Sequence, residues 1–584
     1  MITKLRYIFS HTEKLKLIWI LFLLVVGSFM ELLGVSVFLP FVQIMMDQEV
    51  IYTNEWLNYF FVLFGFRTLE SYLAAIALLI CAVYLIKNVY LTFMQNEILK
   101  FSYRTRMNLA TRLLTTYMSE PYTFHLNRNI AELQRSIQYD TNQFMILINS
   151  SLQLLAELAV IVCLGLYLFH TSHSITLVIM SLLIICIGIF FLVSKKISRR
   201  LGKQNEMYNA KLYQWINQSL GGIKEIKVLN REKYFVSAYK NVYKKLIKGA
   251  KNNEILSAIP KYIIETVCMV GMLLAIIIKM FWGQNNIEVF IIQLSAFAVA
   301  AFRLLPSVGK INAYINSIMY CIPALDLVYH DLKNIEGCKL IDFEEKRDWK
   351  KGQLKEKIEI CDVAYHYPNA GNMVISNISF TIHKGETVAL IGSSGAGKTT
   401  LADILLGLLE PVSGKILADG VDIAENMDEW HHMLGYIPQT IYLSDDTIRN
   451  NIAFGVSEDM IDDEAVNEAL RKAQLFDFVE SLPEGMNTFV GDRGVRLSGG
   501  QRQRIGIARA LYNDPDVLIL DEATSALDND TEAAVMEAIE SLRGHKTMII
   551  IAHRLTTIRN ADVIYEIGNG EATLKSKKEV LENQ

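Results

Sequence analysis

Eight consecutive residues in the second half of the chain have the types and spacing that bind a polyphosphate. They match the pattern G-x-x-x-x-G-K-[ST], follow an apolar stretch that predicts a strand, and precede a helical pattern. The glycines let backbone N–H groups converge on phosphate oxygens, and the helix start adds partial positive charge. Lys398 would neutralise the β- and γ-phosphates, and the Thr399 hydroxyl would bind Mg²⁺. The run consists of Gly392, Ser393, Ser394, Gly395, Ala396, Gly397, Lys398 and Thr399.

Two adjacent carboxylates further along the chain could complete this chemistry. The segment VLILDE predicts a buried strand that ends at Asp521, and parallel α/β sheets hold their ligands at the carboxyl ends of strands. Asp521 would then lie near the metal ion, and Glu522 could orient and deprotonate the attacking water. Two acids after an apolar run are more often the start of a helix. Because the phosphate-binding run lies upstream, we favour metal binding and catalysis over a helix start for these two acids.

Between these motifs lies LSGGQ, residues 497–501, and here the sequence resembles the signature motif of ATP-binding cassette (ABC) proteins. The resemblance continues in YIPQ, which contains Gln439, in SALD, which ends at Asp528, and in IAHR, which contains His553. It extends over about residues 356–580 and is therefore a resemblance to a whole ABC nucleotide-binding domain, an α/β P-loop fold.

The resemblance implies ATP and Mg²⁺ as cofactors and gives individual residues their roles. The implied catalytic residues are Glu522, His553 and Lys398. The implied metal ligands are Thr399, Gln439 and Asp521. The residues implied to bind ATP, with Tyr367 stacking on the adenine, are Tyr367, Gly392, Ser393, Ser394, Gly395, Ala396, Gly397, Lys398, Thr399, Thr400, Gln439, Ser498, Gly499, Gly500, Gln501 and Asp528.

The signature motif also predicts a dimer. In the ABC family it faces the nucleotide bound by the other nucleotide-binding domain, so a chain with one such domain must associate with a second. Ser498 and the following glycines begin a helix whose amino terminus suits the γ-phosphate. Two copies of this chain would each supply Glu522 and His553, and both sites would hydrolyse ATP. We expect a homodimer, the commonest kind of twofold assembly; a heterodimer is the alternative.

The elements that carry these residues are joined to a membrane half. The chain has 584 residues, 52% of them apolar, and long apolar runs fill much of the first 320. Six stretches are long enough, or nearly so, to cross a bilayer, which takes about 20 helical residues. They are residues 17–46, 71–96, 144–169, 175–193, 262–282 and 289–309. With six spans before the nucleotide-binding domain, the whole chain resembles a type I ABC exporter half-transporter.

The predicted domains are therefore an all-α transmembrane domain over residues 1–330, a charged linker over 331–355, and the nucleotide-binding domain over 356–584. Lys and Arg cluster before the first span and after the second and fourth, which predicts that both termini and the ATPase domain are cytoplasmic. The resemblance implies an integral protein of a bacterial inner membrane. The net charge of −4 does not require a nucleic-acid partner, and six spans exclude the soluble ABC ATPases that act on DNA or ribosomes.

Two cytoplasmic segments, about 97–143 and 195–261, have heptad-like apolar spacing and no Gly/Pro-rich disorder signature. We expect spans two to five to continue as helices into the cytosol, joined by turns near 118–129 and 213–227. The alternative is a pair of independent cytosolic hairpins. The two turns resemble the coupling helices of ABC exporters.

Charges inside the apolar stretches are the best clue to the substrate, because a charge at bilayer depth is costly unless it is paired or faces water. The candidates for binding substrate are Lys87, Arg303, Lys310 and Glu31. At about 1.5 Å per residue, Glu31 lies about 20 Å from the cytoplasmic end, whereas Lys87 lies near the cytoplasmic level. This difference of about 15 Å argues against a Glu31–Lys87 ion pair and groups Glu31 with Glu157 in the outer half.

Basic groups at the inner-leaflet level suit capture of a phosphate or pyrophosphate head group. The competing interpretation is that these Lys and Arg side chains snorkel to the interface or pair with Glu265. For Glu31 we expect a place in the cavity, or an interhelical hydrogen bond that changes between the inward-facing and outward-facing states.

The external connection over 47–70 contains NEWLNYFFVLFGF, which is too apolar for a solvated loop and predicts a short helix in the outer interface. With MELLGVSVFLP and AAFRLLPSVGKIN, it resembles the PglK-type flippases of lipid-linked oligosaccharides. The resemblance implies a flippase for a lipid-linked oligosaccharide or related polyprenyl-pyrophosphate lipid. The alternatives are an exporter of other lipids, drugs or peptides and, less favoured, a regulator or channel on the same fold.

Overall fold

The computed structural model describes residues 1–584 except 38–40, 42–43, 46–54, 64–65, 67, 172, 283–286, 335–351, 369–370, 522–528, 553–557 and 583–584. The chain divides into two compact units. One comprises residues 1–120 with 124–342, and the other comprises 343–584 with the short segment 121–123.

The regular secondary structure described in the amino-terminal unit is all helical. Its helices are α1 (Ile2–Ile8), α2 (His11–Ser36), α3 (Glu55–Leu63), α4 (Leu69–Ser119), α5 (Tyr122–Asn127), α6 (Ile130–Arg135), α7 (Thr141–Thr171), α8 (His173–Gly221), α9 (Ile223–Val228), α10 (Glu232–Trp282) and α11 (Ile287–Asn334). The first two residues of α5 belong to the segment that groups with the other unit. A π-helical turn, Ser136–Asp140, joins α6 to α7.

Each predicted span lies within or overlaps one of the six long helices α2, α4, α7, α8, α10 and α11. Within the described residues, four stretches are long and apolar enough to cross a membrane: His11–Gly34, Glu70–Ser119, Ile130–Tyr167 and Pro306–Lys333. The predicted fourth and fifth spans belong to α8 and α10, where many side chains fall outside the described residues.

The predicted continuation of the spans as helices is confirmed. Helices α4, α8 and α10 each run for about 50 residues, roughly 75 Å at 1.5 Å per residue, well beyond a bilayer core of about 30 Å. Short helices α5 and α9 occupy the two predicted turns, so the alternative of independent cytosolic hairpins is wrong. Helix α11 continues through both Pro306 and Pro323.

Small residues let the long helices approach closely. A Cβ atom on Gly202 of α8 would lie 2.1 Å from the Tyr320 carbonyl oxygen of α11. A Cβ on Gly27 of α2 would lie 2.8 Å from the Met94 sulfur of α4. Membrane helices pack by van der Waals contact and not by exclusion of water, so close backbone approach stabilises the bundle.

The connection over 47–70 contains the predicted short helix, α3; its location outside the membrane remains a prediction. Its described apolar side chains Tyr59, Val62 and Leu63 are exposed, whereas Phe61 packs edge-on against Tyr72 of α4 with ring centroids 5.2 Å apart. One side of the helix is therefore held by protein while the other offers apolar surface, as an interfacial helix requires.

The carboxyl-terminal unit contains one sheet and its flanking helices. Its strands are β1 (Lys357–Tyr365), β2 (Ile375–His383), β3 (Thr387–Ile391), β4 (Ser413–Ala418), β5 (Val421–Asp422), β6 (Leu434–Ile437), β7 (Val517–Asp521), β8 (Thr547–Ile551), β9 (Val563–Gly568) and β10 (Glu571–Lys575). Its helices are α12 (Lys398–Leu405), α13 (Met427–Met433), α14 (Ile448–Ile452), α15 (Asp463–Lys472), α16 (Phe476–Glu480), α17 (Gly499–Leu511), α18 (Asn529–Glu540) and α19 (Lys577–Glu582).

The strand order is β5-β4-β1-β2-β10-β9-β3-β8-β7-β6. Strands β9, β3, β8, β7 and β6 pair in parallel, whereas β1, β2 and β4 pair antiparallel. Successive residues of β3 enter different cores: Val388 and Leu390 pack with α12, and Ala389 packs on the side of α17. A strand buried on both faces accounts for the continuous aliphatic runs before the two phosphate-site motifs.

Candidate functional site

The phosphate-binding run forms the predicted strand, loop and helix. Strand β3 ends at Ile391, and α12 begins at Lys398, the seventh residue of the run. Gly392 has a φ of +143°, and a Cβ there would lie 2.2 Å from the Ile567 carbonyl oxygen. Gly397, the residue before α12, is left-handed at φ +98°. Glycine is therefore required where the loop leaves the strand and where it enters the helix.

Lys398 lies at the centre of this loop. Its side chain is buried, and its Nζ donates to the carbonyl oxygens of Gly392 and Ser393, both at 2.9 Å. The loop residues Ser394 and Gly395 are exposed. The ammonium group is thus held inside a turn whose backbone is open to an incoming anion, as a phosphate cradle requires.

The predicted adenine-stacking residue lies beside the same helix. Tyr367 follows β1, and its hydroxyl is 3.1 Å from the Thr400 hydroxyl of α12. The Tyr367 ring packs edge-on against Tyr365, with centroids 5.2 Å apart. The fold thus brings an aromatic ring next to the phosphate loop. Its stacking on adenine remains a prediction.

Asp521 ends the fully buried strand β7, at the edge of the sheet that the sequence predicts. Its charge acts on Asp403 in α12: burial, with a smaller contribution from the nearby Asp521, raises the pKa of the Asp403 carboxyl to about 6. Burial also raises the pKa of Tyr436 to about 12, with Asp521 and Asp403 adding to the shift. Tyr436 lies on β6, the strand that leads to Gln439. The sheet therefore gathers the Asp521, Asp403 and Gln439 segments beside the phosphate loop.

These residues fit a magnesium ion by their chemistry. Thr399, Gln439 and Asp521 all present oxygen donors, the ligand type that Mg²⁺ prefers. Asp521 lies close enough to Asp403 for its negative charge to raise the pKa of that carboxyl, so a cation beside Asp521 would supply a favourable counter-charge. A bound Mg²⁺ would supply that counter-charge and polarise the phosphates. Its ligation by these three residues remains a prediction.

The signature motif forms a capped helix start. The Ser498 hydroxyl accepts from the Gln501 backbone N–H at 3.2 Å, and the Gln501 side-chain oxygen accepts from the Ser498 N–H at 2.8 Å. This reciprocal capping box stabilises the start of α17. Ser498 and Gly499 are exposed and Gly500 is buried. An exposed, rigid helix amino terminus is what a second phosphate-binding surface needs.

Three predicted site residues lie outside the described residues: Glu522, Asp528 and His553. The elements before them are described, because β7 ends at Asp521 and β8 ends at Ile551. These two strands are parallel neighbours, with Asp521 paired to Ile551. Both strands therefore end at the same edge of the sheet. The catalytic roles of Glu522 and His553 remain predictions.

Asp403 is a site residue that the sequence motifs do not reveal. It lies one helical turn beyond Thr399, a spacing that places both on one face of α12. That spacing alone would not single it out, because the acid becomes relevant only when β7 brings Asp521 near it.

In the amino-terminal unit, the prediction that Glu31 and Lys87 do not pair is wrong. Lys87 Nζ donates to Glu31 Oε2 at 3.2 Å, and both side chains are about nine-tenths buried. The Tyr84 ring adds a cation–π contact, 4.5 Å from Lys87 Nζ to the ring centroid. Gly34 provides the room, because a Cβ there would lie 3.3 Å from the Lys87 side chain.

The predicted separation of Glu31 and Lys87 is too large because the two depths start from opposite ends. The depth of Glu31 is measured from the cytoplasmic end of its apolar run, whereas that of Lys87 is measured from the outer end. The two apolar runs are about 45 Å and 39 Å long as helices, both longer than a hydrocarbon core of about 30 Å. Counted from the cytoplasmic ends of both runs, Glu31 and Lys87 differ by only about 8 Å, which a lysine stem can bridge. The apolar runs therefore do not mark the membrane boundaries.

A second ion pair between helices joins a lysine of the predicted basic inner layer to a glutamate of the predicted acidic outer layer. Lys310 Nζ of α11 donates to Glu157 Oε1 of α7 at 2.8 Å. Lys310 thus pairs with an acid assigned to the outer half, not with Glu265, which is exposed. Arg303 lies on α11, and its side chain is outside the described residues. The division into a basic inner layer and an acidic outer layer is wrong for Lys87 and Lys310.

Breaking the Glu31–Lys87 pair should destabilise the membrane unit. Lys87→Met leaves a buried carboxylate without its cation, so we expect the thermal unfolding midpoint in detergent to fall by several degrees. The exchanged double variant, Glu31→Lys with Lys87→Glu, should recover most of the loss. Lys100→Met removes an exposed ion pair with Glu97 and serves as the control, with little expected change. An unchanged midpoint for Lys87→Met would show that the pair contributes nothing.

A P-loop nucleotide-binding domain with a signature helix, joined to a bundle of long apolar helices, defines the class of protein. The ABC transporter family matches residues 375–525, and the ABC transporter transmembrane region matches residues 17–303. The chain belongs to the ABC transporter family, as an exporter half-transporter that couples ATP hydrolysis to translocation across the membrane.

Two relatives and one solved structure are similar over most of the chain. The lipid A-core flippase of Cupriavidus pinatubonensis is 31% identical, covering 82% of this chain and 80% of its own length. The lipid A-core flippase of Haemophilus influenzae is also 31% identical, covering 88% and 87%. The structure of a bacterial Atm1-family ABC exporter with ATP bound has a TM-score of 0.74 and 23% identity, covering 96% of each chain. That structure confirms the predicted exporter fold.

Proposed function

We propose that this half-transporter is an ATP-driven lipid exporter, which moves its substrate from the inner to the outer leaflet of a bacterial inner membrane. The observation that carries the proposal is the similarity to lipid A-core flippases over about four-fifths of the chain. The exposed apolar side chains of α3 also support the proposal, because a helix that lies in the outer interface can contact the acyl chains of a lipid.

The catalytic unit is a homodimer in this proposal. Two chains place the exposed amino terminus of α17 from one copy against the nucleotide bound at the Lys398 loop of the other. ATP then shifts the equilibrium toward the closed dimer, because closure creates contacts that the open form lacks. Hydrolysis by Glu522 and His553 removes the γ-phosphate that bridges the subunits, and the dimer reopens on its cytoplasmic side.

Within the lipid class we favour a lipid-linked oligosaccharide or related polyprenyl-pyrophosphate lipid. The external helix α3 supports this choice. The ion pairs of Lys87 and Lys310 reduce the positive charge that they can offer a head group. Arg303 is therefore the first residue to test for head-group binding. Glu31 is better placed to hold Lys87 than to bind substrate. Other lipids, drugs and peptides are the alternative substrates.

The test is translocation in proteoliposomes. A polyprenyl-pyrophosphate oligosaccharide, a lipid A-core lipid and an amphipathic drug are supplied separately, and ATP-dependent arrival on the opposite side of the membrane is followed. We expect both lipids, and above all the oligosaccharide lipid, to move faster than the drug. Transport of the drug without either lipid would overturn lipid export. Transport of lipid A-core alone would retain lipid export and overturn the oligosaccharide substrate.

A matched pair of variants tests the head-group site. Arg303→Gln should lower transport of the pyrophosphate lipid while ATP hydrolysis persists, because a guanidinium can bind a phosphate through two parallel hydrogen bonds. Arg104→Gln removes an exposed cation of α4 and should leave transport unchanged. If both variants transport the lipid at the same rate, Arg303 does not bind the substrate.

A further inference from the structure

A cavity of about 720 Å³ lies between α8 and α11 in the membrane unit. Lys195, Lys196, Arg199, Arg200 and Lys203 line one side of it, and this set is called the basic stripe. The spacing of its members follows the three- and four-residue periodicity of one helix face. The cations therefore surround a common space and are not distributed around α8.

Few carboxylates offset the charge of the basic stripe. Asp326 of α11 also lines the cavity, and Arg199 contacts it at 3.5 Å. Asp326 is shared with a further cation, because Lys4 of α1 donates to it at 2.8 Å. Within the described residues, Arg199 makes the only ion pair of the stripe. The cavity therefore keeps a large excess of positive charge.

Glu206, the other acid of the cavity, contributes little negative charge at neutral pH. Burial raises the pKa of its carboxyl to about 8. Asp140 and Asp326 add to this shift, whereas Arg135 and Lys203 oppose it. The side chain is thus mainly protonated at pH 7, and the positive charge of the stripe is not cancelled from that side.

The cavity lies at the level expected for inner-leaflet head groups. The stripe begins directly after the apolar run over 175–193, and Leu192 from that run lines the same cavity. Lys4 of α1, the helix that precedes the first span, contacts Asp326 of the cavity. The cavity is therefore at the same depth as the start of the first span. The cavity thus combines apolar surface on its membrane side with cations beyond it.

Membrane orientation alone does not explain this arrangement. The Lys and Arg residues after the second span also follow the rule that cytoplasmic segments are rich in cations. Two of them, however, have protein partners: Lys100 pairs with Glu97 at 3.0 Å, and Arg112 donates to the Ile8 carbonyl oxygen at 3.3 Å. Those cations have protein partners on the surface of the bundle. The basic stripe instead borders a volume that the protein does not fill.

We propose that this cavity binds the phosphate head group of an anionic lipid from the inner leaflet. Arg199 and Arg200 can bind phosphate oxygens through paired N–H groups, and the lysines add point charge. Leu192, at the membrane end of the cavity, would contact the first part of the acyl chains. Basic pockets between helices on the cytoplasmic side bind anionic lipid head groups in this way. The site requires neither ATP nor the proposed transport substrate, so it can be tested independently of lipid export.

The test counts bound lipids on the detergent-solubilised full chain without nucleotide, by native mass spectrometry. Phosphatidylglycerol is the probe, phosphatidylcholine is the neutral lipid, and glycerol 3-phosphate is the soluble anion. We expect phosphatidylglycerol to bind and phosphatidylcholine not to compete. Lys196→Gln with Arg200→Gln should weaken binding at least about tenfold. The control, Lys100→Gln with Arg104→Gln, removes two charges from the end of the second span and should retain binding.

Three outcomes would overturn the proposal. Equal phosphatidylglycerol binding by the stripe variant and the wild type would show that the cavity is not the site. If phosphatidylcholine competes as well as phosphatidylglycerol does, the charge of the lipid head group plays no part in binding. Displacement by glycerol 3-phosphate at the same concentration as the lipid would indicate a site for a soluble phosphate. Thermal unfolding of the stripe variant in neutral detergent checks that it remains folded, and Lys196→Gln alone replaces it if it does not.

Discussion

Replacing Lys398 by alanine should lower ATP turnover by at least about a hundredfold and weaken ATP binding. The ammonium group is buried within the phosphate loop and held by the carbonyl oxygens of Gly392 and Ser393. Loss of a single preorganised hydrogen-bond donor to a developing negative charge already costs about 10² to 10³ in rate. Phosphate release and equilibrium ATP binding measure the two effects.

Lys384→Ala is the matched control for that variant, because Lys384 is an exposed lysine of the same unit in the turn before β3. It should keep wild-type binding and turnover. Near-normal turnover of Lys398→Ala, with thermal unfolding unchanged, would mean that the loop binds phosphate without this charge and that the assigned role is wrong.

Replacing Glu522 by glutamine should separate ATP binding from hydrolysis. The substitution keeps the size of the side chain and removes its ability to accept a proton, so we expect turnover to fall at least about a hundredfold while ATP still binds. The protein should accumulate as a closed dimer when ATP is present, measured by its mass in solution and by cross-linking of the two subunits.

The control for this variant is Glu537→Gln, which changes an exposed acid on α18, the next helix along the chain. Its turnover should match that of the wild type. If Glu522→Gln hydrolyses ATP at a near-normal rate, another group acts as the base. If it loses ATP binding, Glu522 supports the nucleotide site instead of the attacking water.

The phosphate site could be predicted from sequence because its parts are local. The run from Gly392 to Thr399 contains the end of a strand, the loop and the start of a helix within one short segment, and the structure has these elements at the predicted residues. The capping box of Ser498 and Gln501 is equally local. Contacts between distant segments could not be read in this way. The Tyr367–Thr400 contact and the effect of Asp521 on Asp403 depend on strand order in the sheet.

The membrane half shows the same limit more strongly. Hydropathy correctly predicted the long helices and their continuation beyond the apolar runs. It could not predict which charges meet, because partners depend on the register between helices and apolar runs exceed the membrane thickness. Lys87 and Lys310 therefore appeared as separate substrate candidates, whereas each is paired with a carboxylate from another helix. The basic stripe on α8 appeared only as an orientation signal until α11 completed a cavity with it.

We propose that ATP hydrolysis drives lipid from the inner to the outer leaflet. The most direct measurement follows phosphate release and lipid arrival in the same proteoliposomes, for the wild type and for Glu522→Gln. We predict that both rates fall together in the variant, by at least about a hundredfold, whereas Glu537→Gln retains both. If lipid crosses at the wild-type rate in Glu522→Gln, without hydrolysis, then ATP hydrolysis does not drive its transport.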